Sequence, residues 1–150
     1  MLLSEVLKGA GAKSPRVDVE ITGISFKPDE VKRGDLFVSL HEGSAAQECA
    51  EAKRRGAAAM LASADVDCGA PCAVAEDVRY SFAIASRNLY GDAARGLKIV
   101  TVVGTDGKST TAYLIREILE RCGMRAALIG TMYNEYGGTR SESTLTTPDP

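Results

Sequence analysis

Seven consecutive residues, Gly104-Thr105-Asp106-Gly107-Lys108-Ser109-Thr110, combine the groups that hold a phosphate chain. Glycines let the backbone curl so that successive amides point at phosphate oxygens, and a following helix adds the partial positive charge of its N-terminus. Lys108 supplies an ammonium that can bridge β and γ oxygens, and Ser109 a hydroxyl that can ligate Mg²⁺. The expected ligand is therefore the phosphate chain of a nucleotide with Mg²⁺, Lys108 being the candidate catalytic group and Ser109 the metal contact. The usual phosphate-loop spacing would put the first glycine at position 102, where this chain has Val102; here it is Gly104, only three residues before Gly107. An ordinary Gly-Asp-Gly turn with an exposed lysine would explain the glycines. It would not explain an ordered Gly-Lys-Ser-Thr at a helix start.

The flanking pattern places this loop between a strand and a helix, the context that gives such a motif meaning. Ile99–Val103 is a compact apolar run, and Thr110–Cys122 sets Leu114, Ile115, Ile118 and Leu119 on one helical face before Gly123. Upstream, Leu2–Lys8 reads as a short helix and Val17, Val19 and Ile21 as an alternating strand. Lys32–Asp35 is a turn before the strand Leu36–Leu40, and Ala45–Arg55 a helix stopped by Gly56. Ala57–Ala62 and Cys72–Ala75 follow as strands. Asp77 caps a helix that runs to about Tyr90 and Gly91. Arg125–Thr131 is a further strand, and Gly137-Gly138 a hairpin turn.

Strands alternate with helices, so the fold class is α/β with a mainly parallel sheet: a small Rossmann-like N-terminal domain followed by the beginning of a phosphate-loop α/β domain. Residues 1–93 are expected to form the first and 94–150 the second. Two parallel strands and a hairpin cannot cover both faces of a sheet, so the second unit reads as truncated and the chain as a fragment.

Composition narrows the class. The 150 residues are 45% hydrophobic and 25% charged, enough to bury a core. With 18 basic against 20 acidic side chains and no basic stripe, nucleic acid is not an expected partner. Apolar runs are too short to span a bilayer and no signal peptide is read, so the protein is expected to be cytoplasmic and free of membrane contact. Its four cysteines are then reduced thiols. Cys68 and Cys72 form a C-x3-C pair, but no second ligand cluster accompanies it and structural zinc is not expected.

The loop G-T-D-G-K-S-T resembles that of the Mur ligases. Gly34-Asp35-Leu36-Phe37-Val38-Ser39-Leu40 is similar to their G-D-L-F-V-A-L segment, Leu89-Tyr90-Gly91 to the F-Y-G before their central domain, and Thr146-Thr147-Pro148 to the T-T-P of the members that add the third stem-peptide residue. The resemblance covers about residues 20–150. It implies an ATP- and Mg²⁺-dependent amide-forming ligase of peptidoglycan synthesis, monomeric, whose partners are UDP-N-acetylmuramoyl-L-alanyl-D-glutamate and an amino acid. It also implies phosphate contacts along Gly104–Thr110 and substrate contacts at Ser25, His41, Thr146 and Thr147. Where many members carry D-S-R, this chain has Lys27-Pro28-Asp29, and their D-G-H is replaced around Ala45-Ala46-Gln47.

Three other readings stay open at this point. One is a nucleotide- or UDP-sugar-peptide-binding module without catalysis, and another is a different Mur-type ligase. The third is a different phosphate-loop kinase or GTPase, which the loop spacing disfavours.

Overall fold

A computed structural model describes residues 1–143, apart from the side chain of Glu42. The chain divides into two compact units, one ending at Gly96 and one beginning at Leu97.

The first unit is built on a five-stranded sheet in the order β1-β5-β4-β3-β2. Its strands are β1 (Ala12–Lys13), β2 (Gly23–Ser25), β3 (Asp35–Val38), β4 (Ala59–Ala62) and β5 (Cys72–Ala75). Strands β2 to β5 are parallel neighbours and β1 joins β5 antiparallel. All residues of β3 and β4 are buried, as expected of parallel strands covered on both faces. Side-chain alternation sorts them into two cores. Leu36, Val38, Leu61, Ala73 and Ala75 face one way, against Leu3 and Val6 of helix α1 (Leu3–Val6) and Phe82 and Ala85 of helix α3 (Val78–Tyr90). Phe37, Met60, Ala62 and Cys72 face the other, against Cys49 and Ala52 of helix α2 (Ala45–Arg55).

Each helix forms for a legible reason. Helix α2 is rich in Ala, Glu, Lys and Arg, strong helix formers, with three basic residues in its last turn to meet the dipole. Glu51 pairs with Arg55 one turn on at 2.7 Å and also with Arg54. Gly56 ends it in the left-handed conformation. Helix α3 starts where the Asp77 side chain accepts from the Tyr80 amide at 2.9 Å. It ends at left-handed Gly91. Two side chains of α3 tie it to the N-terminal segment. Ser81 donates to the Ala10 carbonyl at 2.6 Å, and Asn88 to the Val6 and Lys8 carbonyls at 2.9 and 2.8 Å. The turn before β3 needs a glycine: Gly34 has φ +91°, and a Cβ there would stand 2.4 Å from the Thr22 hydroxyl.

The Val17–Ile21 segment departs from its expected strand. Val17 is exposed, and the segment makes only an isolated antiparallel bridge between Leu2 and Glu20. Its backbone bonds go instead to the N-terminus, with Leu3 N–H on Val19 O at 2.9 Å and Ile21 N–H on Met1 O at 2.7 Å. Leu2–Lys8 shortens to α1.

The second unit contains helix α4 (Lys108–Arg121) and a three-stranded antiparallel sheet β6-β7-β8, made of Leu128–Ile129, Tyr133–Tyr136 and Thr139–Glu142. The hairpin turns at Gly137-Gly138, as the sequence indicates. The parallel strands expected here do not form. Ile99–Val103 has no regular structure, with Ile99 74% and Val103 85% exposed, and Arg125–Thr131 contributes only β6. A buried parallel strand needs neighbours on both sides for its backbone groups, and among the described residues none pairs with Ile99–Val103. For the same reason the apolar side of α4 is uncovered: Leu114 and Ile118 are exposed, and no described residue from Leu97 to Ser143 is buried.

Candidate functional site: a phosphate loop and a strand-end crevice

The loop Gly104–Gly107 leads directly into α4, whose N-cap is Gly107 at φ +75°. A glycine N-cap has no side chain to satisfy the first N–H groups, and the first turn of α4 carries no acidic residue. Helix α3 differs, since the Asp77 carboxylate already occupies its N-terminus. The start of α4 is thus left available for an external anion. Gly104, Thr105, Asp106, Ser109 and Thr110 are exposed around it. Lys108, the first helical residue, folds back so that its ammonium donates to the carbonyls of Gly104 at 2.8 Å and Thr105 at 2.9 Å. Its charge therefore sits over the loop.

Beside the loop lies a mainly apolar cavity of about 290 Å³, walled by Ser109, Thr110 and Tyr113 of α4 and by Thr131, Met132 and Tyr133. Ser109 therefore stands where the helix start, the loop and this cavity meet.

Further along α4, Arg116 carries the densest charge network of the unit. One terminal nitrogen lies 2.8 Å from Glu120 and 2.9 Å from Glu135 of β7, and the other 3.6 Å from Glu117. Glu135 also accepts from Arg140 of β8 at 2.9 Å, and the Arg140 guanidinium stacks 4.0 Å from the centre of the Tyr133 ring. Desolvation works against the charge of Arg116, but the hydrogen bond to Glu120 and the surrounding carboxylates outweigh it and raise its pKa. The loop motif gave no hint of this network. An arginine on a helix and a glutamate on a later hairpin show no sequence spacing that pairs them.

In the first unit, the connection after β3 leads to α2 on one face of the sheet and the connection after β5 to α3 on the other. Chain segments that part to opposite faces open a crevice at the carboxyl ends of the strands. A polar cavity of about 330 Å³ is found there, lined by Ser39, Ser63, Glu76, Asp77 and Arg79. Ser25 ends β2 and His41 follows β3, so both expected contacts stand on this side of the sheet. The Ser25 hydroxyl, however, donates to the Lys27 carbonyl at 3.1 Å. His41 is exposed, with Nδ1 3.4 Å from Glu48. Sequence reasoning missed Glu48, which accepts from the buried Ser39 at 2.8 Å and from Ser44 at 2.6 Å, tying the loop after β3 to the first turn of α2. The Ser44–Glu48 spacing of four residues was the available signal. Thr146 and Thr147 lie outside the described residues.

Cys49, Cys68 and Cys72 gather in the core under α2. Burial, reinforced by the other two thiols, pushes Cys49 up to about 12, and burial raises Cys72. Neither these thiols nor any other three His, Cys, Asp or Glu side chains among the described residues are grouped so that they could hold a metal ion. None of their helices is long and apolar enough to cross a membrane.

Comparison with known proteins shows what this chain is similar to. Residues 102–150 match the Mur ligase middle domain. The chain is 36% identical over 137 residues to a UDP-N-acetylmuramoyl-L-alanyl-D-glutamate--2,6-diaminopimelate ligase of Syntrophomonas wolfei, covering 89% of this chain and 28% of that protein. It is 40% identical over 139 residues to the protein of the same name from Brucella melitensis, again covering 89% and 28%. A solved structure of a ligase of that name superposes with a TM-score of 0.69 at 27% identity, over 86% of this chain and 27% of the other. A MurF structure from Acinetobacter baumannii, with a TM-score of 0.61 at 20% identity over 86% and 28%, shares the fold. The chain is thus similar to Mur ligases over most of its own length. It spans about 28% of the length of the curated relatives it matches.

Proposed function

We propose that this chain is part of an ATP-dependent ligase that joins an amino acid to UDP-N-acetylmuramoyl-L-alanyl-D-glutamate in peptidoglycan synthesis. The relatives' names make 2,6-diaminopimelate the incoming amino acid to test first. The observation that carries the reading is the uncapped helix start at Gly107, with the Lys108 ammonium held over the loop. In this reading residues 94–150 begin the ATP-binding domain and residues 1–93 hold the UDP part of the substrate, with Ser25 and His41 at the strand-end crevice and Thr146 and Thr147 on the muramoyl-peptide. Four free cysteines suit a reducing cytoplasm, where the protein acts as a monomer.

Phosphoryl transfer asks mainly for positioning and charge neutralisation. The amides of the loop and first turn orient the phosphates, and Lys108 balances charge on the transferring group. The γ-phosphoryl passes to the substrate carboxylate with loss of ADP; the amino-acid amine then attacks the acyl phosphate, releasing phosphate and leaving an amide. The exposed Ser109 hydroxyl at the loop and the helix start free of acid fit a magnesium–phosphate ligand, and the ion would neutralise phosphate oxygens when bound.

The test is to give the full-length protein ATP, UDP-N-acetylmuramoyl-L-alanyl-D-glutamate and diaminopimelate. ADP release together with a product carrying one added diaminopimelate is expected. Nucleotide binding without product for any amino acid would support a silent binding module instead.

A further inference from the structure

The connection between β4 and β5 brings two thiols of unequal exposure to one place. Cys68 is half-buried there, turned with Val66 and Ala70 against the cluster that α2 covers. Cys72 opens β5, is 9% exposed and belongs to the same cluster. The chain folds back between them. It bends at residues 68–70, with Gly69 left-handed at φ +72°. The Cys72 thiol reaches back along this connection: it lies 3.9 Å from the Ala64 carbonyl, and the Val66 amide donates to its sulfur. The Val66 carbonyl in turn accepts from the Cys68 amide at 3.0 Å. Both cysteines are thus tied to Val66 and face one small apolar cluster.

Their exposures set an order of reaction. Cys68 meets solvent, whereas Cys72 is screened from it. Burial raises the Cys72 pKa, and the neighbouring Cys68 adds to this by charge. A thiol that keeps its proton is a poor first nucleophile toward an oxidant in solution. Beside an already oxidised sulfur, proximity offsets that handicap.

We propose that Cys68 and Cys72 form a peroxide-sensitive modification site, in which Cys68 is oxidised first and Cys72 closes a disulfide onto it. In the first step the Cys68 sulfur attacks hydrogen peroxide. An S–O bond forms, the O–O bond breaks, and the departing hydroxide takes the thiol proton to give water. In the second step the Cys72 sulfur attacks the sulfenic sulfur. The S–S bond forms, the S–O bond breaks, and the hydroxyl leaves with the Cys72 proton as a second water. Two thiols lose two electrons and peroxide gains them. In a reducing compartment such a disulfide is transient, returned to thiols by exchange. The site is independent of the proposed ligase chemistry.

The test treats the folded full-length protein with hydrogen peroxide, blocks remaining thiols with N-ethylmaleimide, and maps tryptic peptides by mass. Residues 56–79 carry Cys68 and Cys72 on one peptide, while Cys49 falls on 34–53 and Cys122 on 122–125. The 56–79 peptide should lose two hydrogens and regain them with dithiothreitol. Cys72→Ala should lose the link and leave Cys68 as a sulfenic acid that dimedone captures. Cys68→Ser, at a half-exposed position that tolerates a hydroxyl, should leave Cys72 reduced. That second variant keeps the test decisive should Cys72→Ala fold poorly. A link from Cys68 to Cys49 overturns the proposal. So does Cys68 running on to sulfinic acid unpaired, Cys72 oxidised in Cys68→Ser, or Cys68 left reduced while Cys122 is oxidised.

Discussion

The ammonium of Lys108 rests 2.8 Å from the carbonyl oxygen of Gly104, the residue that opens its own loop. In this state the cation is satisfied by backbone acceptors of the feature it would later serve. In the proposed function, a bound nucleotide would exchange these neutral carbonyls for charged phosphate oxygens, a stronger partner for an ammonium.

Lys108→Ala in the full-length protein should therefore abolish turnover while sparing the fold. Lys108 belongs to neither apolar core, so its truncation leaves no cavity and the thermal midpoint should hardly move. A loss on the order of a hundredfold or more in turnover is expected, comparable to removing one dedicated charge-stabilising donor. Near-normal turnover would reject the clamp, and a collapsed midpoint would make Lys108 structural.

Glu48→Ala should weaken the first unit. It strips the 2.8 Å acceptor from the Ser39 hydroxyl, which is 3% exposed and keeps only the His41 carbonyl at 3.5 Å, and it strips the acceptor from Ser44. Leaving a buried hydroxyl so weakly paired costs about 1 kcal/mol, and Glu48→Gln, which keeps an acceptor oxygen, should lose less. Urea unfolding of the three proteins measures both. Equal midpoints for wild type and Glu48→Ala would mean that the cluster contributes nothing.

Asp77→Ala should cost about 1 kcal/mol through loss of the α3 cap, and Asp77→Ser should restore most of it. Thermal melts report the difference. Should Asp77→Ser prove as unstable as Asp77→Ala, capping is not what Asp77 supplies.

The thiols give a pH prediction. The Cys49 thiol is pushed from an ordinary 9.0 up to about 12, chiefly by burial. Between those values the unfolded chain gives up this proton and the folded one keeps it. The contribution to stability is thus complete below pH 9 and is lost as pH rises toward 12. Comparing unfolding free energies of wild type and Cys49→Ala across this window should show a steeper decline for the wild type. Alkylation at pH 8 should follow the same physics, with exposed Cys122 modified first and buried Cys49 last. Parallel pH slopes, or early labelling of Cys49, would contradict it.

What could be read in advance was what short stretches decide for themselves. Helix α2 with its Gly56 stop and helix α3 between Asp77 and Gly91 appear as the pattern indicates, because propensity, capping and periodicity agree within a few residues. The glycine loop 104–107 leading into α4 was legible for the same reason, being contiguous. Ile99–Val103 was not, because an apolar run becomes a strand only when neighbours pair with it. Val17–Ile21 failed similarly, its backbone being claimed by the N-terminus. Within the candidate sites, the pairing of Ser39 with Glu48 and of Arg116 with Glu135 joins separate elements, and nothing in residue order announces such contacts.

The Asn88 amide, which caps the carbonyls of Val6 and Lys8, sets a timetable for synthesis. Residues near the start of the unit are fastened by a residue near its end. Strand β1 likewise waits for β5. Until α3 has emerged, the nascent chain has its parallel strands but no lid over Leu3, Val6 and Leu61. Closure of the unit should therefore come as one late event, after the stretch around Gly91 has cleared the exit tunnel, and a translational pause placed before that point would prolong exposure of an open sheet.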